Sequence, residues 1–157
     1  MTAMAQWNIT KVARNAVRIQ YSEGNVQNDL PDWLYVKHGE VKDCDVQVQL
    51  DDKRKLLTLR NKKGEIVFQA TRHQMADGEA TMAFATAKDE CLFGLGQFQD
   101  GYSNVRGLSR RLTQVNTQIS LPMLISSKGY GILWNNYGLT EFNPCSQSVR
   151  LEKRQGE

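Results

Sequence analysis

Apolar and polar residues alternate in short runs along the first half of this chain, and turn signals separate the runs. Residues 15–22 read NAVRIQYS, with Val17, Ile19 and Tyr21 on one side and Ala16, Arg18 and Gln20 on the other. Residues 45–50 set Val46, Val48 and Leu50 on one face. Residues 55–60 and 65–70 continue the pattern, the latter through Ile66 and Phe68. A period of two marks a half-buried strand, because successive side chains of extended backbone point to opposite faces. Asp51-Asp52-Lys53 and Asn61-Lys62-Lys63-Gly64 turn the chain between runs, and Gly64 can take the positive φ of a tight turn. Strands about ten residues apart, joined by such turns, are the pattern of an antiparallel β-sandwich or barrel. Residues 33–36 form a further short apolar run after a polar loop that reaches from residue 23 to residue 32. Residues 71–78, which include His73, read as a polar connection. Residues 79–87 read as a weaker strand in which Met82 and Phe84 share a face. No segment carries an amphipathic helix of three turns. The nearest candidate, residues 75–82, is broken by Gly78. The fold class is all-β.

The totals narrow the function. A chain of 157 residues fits one domain with a core of its own. Its net charge of +3, from 20 basic and 17 acidic residues, is too mild to call for nucleic acid or an anionic membrane. Cys44, Cys91 and Cys145 form no CxxC pair, so neither a metal site nor a redox motif is indicated. No apolar run approaches the ~20 residues of a membrane-spanning helix. Ala3-Met4-Ala5, followed by Gln6, has the small-x-small form that precedes signal-peptidase cleavage, without a basic and apolar leader ahead of it. Two addresses stay open, an exported one (periplasmic or extracellular) and the cytoplasm.

The C-terminal third is richer. Residues 118–126 and 130–135 are strand-like, and Ser126-Ser127-Lys128-Gly129 separates them as a hairpin turn. A long polar, glycine-rich leader, residues 94–116, precedes them. Gly94-Leu95-Gly96 is not a dinucleotide fingerprint, since Gln99 stands where a third glycine would fall and no helix follows. A turn or bulge at the end of a strand is the better account. His38 and His73 have no nucleophile motif beside them. The carboxylates Asp51, Asp52, Asp89, Glu90, Asp100 and Glu141 are scattered, and none is assigned a catalytic role. Gln97, Gln99, Asp100, Asn104, Gln114, Asn116 and Thr117, with Phe98 and Tyr102, combine hydrogen-bonding groups with flat apolar rings. That combination suits a sugar, whose hydroxyls need donors and acceptors and whose C–H faces pack on rings. Taken alone, it fits better a loop that is polar because it is exposed.

A resemblance carries the reading further. FGLGQFQDG at 93–101, LTQVNTQISLPMLISSKGYGILWNN at 112–136 and TEF at 140–142 resemble, in order and spacing, the N-terminal domain of glycoside hydrolase family 31. That family includes α-xylosidases and α-glucosidases. The match is specific over residues 91–142. Residues 12–75 share only the strand rhythm and the 15–21 opening. The resemblance implies an antiparallel β-sandwich of the galactose mutarotase type that packs on the enzyme's own (β/α)8 barrel. In the family two barrel aspartates perform retaining hydrolysis of the O-glycosyl bond. Nothing in this chain resembles that barrel, and 157 residues could not hold one of about 250 as well.

Residues 1–157 are therefore expected to be an N-terminal, non-catalytic domain, with residues 152–157 a tail or linker and no hydrolase activity alone. The family's sandwich usually has further strands before the barrel, which leaves open an incomplete domain with an exposed strand edge. Asn116 and Thr117, with Gln114 next, are the implied substrate contacts, facing an α-linked oligosaccharide held in the barrel. The glucosidase pattern has an aspartate near Asn116 and often a glutamate at Gln97. The neutral residues here look more like the xylosidase branch. No cofactor, metal, nucleic acid or membrane span is implied. Two other roles fit the same residues, a stand-alone carbohydrate-binding module and a purely structural docking domain.

Overall fold

A computed structural model describes residues 5–23, 41–76, 79–136 and 138–143. The stretch just before Ala5, the expected loop after Glu23 with the 33–36 run and His38, and Gly78, Tyr137, Cys145 and the 152–157 tail lie outside them. No described residue is helical, and every strand pairing is antiparallel. The architecture is all-β and consistent with a sandwich. The chain divides into two compact units, Met1–Thr86 and Ala87–Glu157.

The first unit holds a ribbon and a meander. β1 (Ala5–Ala13) and β2 (Ala16–Glu23) form the ribbon. β3 (Gln47–Asp51), β4 (Leu56–Arg60), β5 (Ile66–Ala76) and β6 (Glu79–Phe84) form a sheet in chain order. The alternation locates β2 through β6. It misses β1, whose Trp7 and Ile9 stand opposite Tyr21 and Ile19. The turn after Asn61 is built as its residues dictate. Asn61 Oδ1 accepts from the amides of Lys63 and Glu65, and Gly64 takes φ 82°.

β5 runs on to Ala76, so residues 71–76 of the polar connection expected over 71–78 are strand. The reason is a register shift between Ala70 and Arg72. One extra residue there reverses the parity of the strand. Ala70 stands opposite Phe84, and beyond the bulge His73 stands opposite Met82, so an odd-numbered residue joins the even-numbered face. Phe68 and Ala70 are buried on that face, and the Phe68 and Phe84 rings lie 5.6 Å apart. His73 is buried against Trp7 and Tyr21 of the ribbon, at ring separations of 4.7 and 5.4 Å. Trp7 also donates its indole N–H to Asp52 Oδ1 at 3.0 Å. Aromatic packing thus fastens ribbon to sheet.

The second unit holds β7 (Leu92–Gln97), β8 (Arg110–Leu112), β9 (Ile119–Ser126), β10 (Gly131–Leu133) and β11 (Thr140–Phe142). β9 is the centre of a three-stranded sheet, between β10 and β7, and β8 pairs with β11. One face of this sheet buries Leu92, Leu124 and Ser126. The other leaves Phe93, Ile119, Leu121, Met123, Ile125 and Leu133 exposed. Period two along β9, with Phe93 opposite Ile125 and Leu133 opposite Met123, puts these six on one side.

The hairpin turn forms where it is expected, and each of its residues has a task. Ser126 N donates to Tyr130 O and Gly129 N to Ser126 O, with Gly129 at φ 82°. Ser127 Oγ accepts from Cys91 N at 2.9 Å, and Lys128 Nζ pairs with Asp89 at 2.6 Å. The hydroxyls of Ser126 and Tyr130 both donate to Glu90.

Candidate functional site

The leader is less of a loop than its composition implies. Its first part is β7, and Gly94-Leu95-Gly96 is a bulge inside the pairing with β9 rather than at its end. All three residues have positive φ, at 114°, 66° and 103°. A Cβ on Gly94 would collide with the Met123 carbonyl, and one on Gly96 with that of Ile119. Glycine is therefore demanded twice over, by conformation and by the close approach of β9. The bulge turns Leu95 into the interior, where it is 2% exposed.

Beyond β7 the chain is pinned at several points. Val105 is fully buried and donates its amide to Leu92 O at 2.8 Å. Asn104 Oδ1 accepts from the amides of Leu92 and Arg106. The Arg106 guanidinium reaches back to the carbonyls of Lys88 and Glu90. Arg110, at the start of β8, is 8% exposed. Its Nη2 donates to Asp100 Oδ2 at 2.6 Å, and its guanidinium carbon lies 4.1 Å from the centre of the Phe98 ring. Asp100 Oδ1 accepts from Tyr102 N at 3.2 Å, which closes a tight turn. In the sequence Arg110 is one half of a basic pair with Arg111, which reads as a solvated spot. Its pairing opposite Phe142 on β11 appears only in the structure.

Gln114, Asn116 and Thr117 sit at the far end of the leader. Val115 and Gln118 exchange both backbone hydrogen bonds, at 3.2 and 3.1 Å, so Asn116 and Thr117 are the two central residues of a tight turn. Neither has positive φ, so the turn is not of the primed type usual in two-residue hairpins. It is braced from one side, since Gln118 Nε2 and Ser120 Oγ both donate to Thr113 O. All three predicted contact residues are exposed. Among the described residues, no hydrogen bond engages their side chains. They are presented, not used internally. Gln97 stands opposite Ile119, so the loop that leaves β7 and the turn that enters β9 share one end of the sheet.

The scattered carboxylates have structural partners. Asp51 accepts from Arg54 N, Asp52 from Trp7, Asp89 from Lys128 and Asp100 from Arg110, while Glu141 lies 3.7 Å from Arg111. Glu90 is 3% exposed. Burial pushes its pKa up, but hydrogen bonds from Ser126, Tyr130 and the Ala87 amide outweigh that and hold it below the usual value. Tyr130 is pushed up to about 12, first by burial and then by Glu90. Burial and the Lys55 charge lower His73, while Asp52 and a backbone bond to Lys55 oppose them. Among the described residues, no three His, Cys, Asp or Glu side chains gather as a metal would need. Among the described residues, no helix is long and apolar enough to cross a membrane.

Comparison with known proteins agrees with the resemblance in the sequence. No protein-family model matches the chain. An uncharacterised family 31 glucosidase of Pseudescherichia vulneris is 41% identical over 63 residues, which cover 40% of this chain and 12% of that protein. An α-xylosidase of Saccharolobus solfataricus is 36% identical over an alignment of 98 residues, covering 53% of this chain and 13% of that protein. In three dimensions the chain matches a family 31 α-xylosidase from a soil metagenome, crystallised with xylose, with a TM-score of 0.66 and 22% identity. That match covers 90% of this chain and 27% of the other. The chain is thus similar to family 31 glycosidases in sequence and in fold. It spans about an eighth of the length of these two curated relatives, and such partial matches fit an N-terminal domain.

Proposed function

We propose that residues 1–157 are the non-catalytic N-terminal domain of a retaining α-glycosidase of the α-xylosidase or α-glucosidase type. The domain braces a separate catalytic barrel and lends it the 114–117 turn as part of the wall around an α-linked sugar. The observation that carries this reading is the double use of β9. Its side chains Ile119, Leu121, Met123 and Ile125 form an exposed apolar face with Phe93 and Leu133. Its entry is the turn in which Asn116 and Thr117 have no partner among the described residues. A contiguous apolar face of this kind marks a surface that another body covers. A neutral amide and a hydroxyl beside it can accept from, and donate to, sugar hydroxyls.

Asn116→Ala in the full-length protein tests the role of the turn. The expected result is a fall in kcat/KM of roughly tenfold, the worth of one good hydrogen bond, with unchanged thermal stability. Unchanged kcat/KM would make the turn structural and leave only the docking role.

A further inference from the structure

The 98–102 loop shares the 114–117 end of the sheet, yet the proposed function gives it no part. Its conformation is unusually constrained for an exposed loop. A buried arginine needs a partner for its charge. Arg110 meets that condition by stacking on Phe98 and pairing with Asp100. Its Nε remains without a hydrogen-bond partner, so the fit is not ideal for stability alone. What this arrangement holds in place is a set of outward groups. Gln97 and Gln99 are exposed, the Asp100 side chain keeps 40% of its surface, and Tyr102 keeps 65%. A large ring so exposed, beside amides and a carboxylate already oriented by Arg110 and Tyr102 N, is ready to stack on a pyranose face. The formal charge here is balanced by the Arg110–Asp100 pair, so the surface favours a neutral ligand.

We infer that the 97–102 segment is a second sugar-contacting surface, continuous with the 114–117 turn, with Tyr102 as its stacking platform and Arg110 as its positioning residue. It takes a neutral pyranose unit of an oligosaccharide, beyond the one that the turn contacts. This rests on the reading above that this end of the sheet meets sugar. Arg110 does not touch the ligand. It sets the loop that does.

Steady-state kinetics of the full-length protein on an α-xylosylated oligosaccharide test this. Tyr102→Ala raises KM about fivefold while kcat stays within about twofold, and Tyr102→Phe, which keeps the ring, restores KM. Arg110→Lys keeps the charge but loses the planar stack on Phe98, and it raises KM in the same way. An unchanged KM in Tyr102→Ala overturns the inference, even if Asn116→Ala lowers kcat/KM and upholds the turn. A raised KM in Tyr102→Ala with no effect of Asn116→Ala upholds this surface and sinks the turn. If the full-length protein turns over no such substrate, calorimetric binding of the same oligosaccharide decides. Loss of binding in Tyr102→Ala upholds the surface. Equal binding in the variant, or none in the wild type, overturns it.

Discussion

Tyr130 donates its phenolic proton to Oε1 of Glu90 at 2.5 Å, across 40 residues of chain. Ser126 Oγ donates to the same oxygen at 2.5 Å, and the Ala87 amide donates to Oε2 at 2.8 Å. One buried carboxylate thereby ties both sides of the β9–β10 turn to the segment that enters β7. Hydrogen bonds to a charged acceptor are the stronger kind. Tyr130→Phe is expected to cost about 2 kcal/mol by urea unfolding. Glu90→Leu is expected to cost more, about 3 kcal/mol, because it leaves the donors of Ser126, Tyr130 and the Ala87 amide without their shared acceptor.

The same cluster sets two pH limits. Glu90 has a folded pKa below its ordinary 4.5, so its contribution is complete above 4.5 and is lost as pH falls through the lower folded value. Tyr130 titrates in the opposite sense. Its folded pKa is raised from 10 to about 12, so its contribution is complete below pH 10 and is lost as pH rises through about 12. Unfolding midpoints measured across both ranges should fall at each end. Tyr130→Phe should flatten the alkaline fall.

His73 adds a limit nearer neutrality. Its folded pKa lies below 6.5, so the unfolded chain takes up a proton that the folded chain resists. Stability from this residue is present above pH 6.5 and declines as pH falls below it. Thermal midpoints at pH 7.5 and pH 5.5 should differ in the wild type. His73→Phe keeps an aromatic ring between Trp7 and Tyr21 and should narrow that difference. An equal difference in the variant would assign the pH dependence elsewhere.

The bulge in β7 makes a sharp contrast among glycines. Gly94→Ala and Gly96→Ala each meet a backbone carbonyl of β9 at positive φ, and each should cost on the order of 3 kcal/mol. Gly64→Ala also has positive φ but open space around it, and should cost only about 1 kcal/mol. Chemical unfolding of the three variants checks the order.

Much of this architecture is legible in the residues because local chemistry is consistent there. Alternation marks β2 through β6, and Ser126-Ser127-Lys128-Gly129 turns where it reads as a turn. The failures have physical causes. Residues 71–76 look like a loop because a bulge reverses their parity, and single-strand periodicity cannot anticipate a bulge. β1 is hidden because Lys11 interrupts the apolar side that Trp7 and Ile9 begin, and only pairing with β2 makes it a strand. The roles of Arg110 and Glu90 depend on partners 10 to 40 residues away, Asp100 and Tyr130 among them. Composition reads both as ordinary surface charges. The 114–117 turn was legible only through the family resemblance, since its polarity alone fits any exposed loop.

The apolar face of β9 offers a test of bracing. Leu121→Ser should change the stability of the 157-residue chain by no more than about 0.5 kcal/mol, because Leu121 is 54% exposed there. In the full-length protein the same change should cost about 2 kcal/mol, as for a buried leucine. Equal small effects in both would mean that nothing covers the face.

The central claim is that this chain serves a catalytic centre it does not contain. Its most direct test is turnover of an aryl α-xyloside and an aryl α-glucoside by the purified 157-residue chain beside the full-length protein. The account predicts hydrolysis by the full-length protein and none by the chain alone. Measurable turnover by the isolated chain would contradict it.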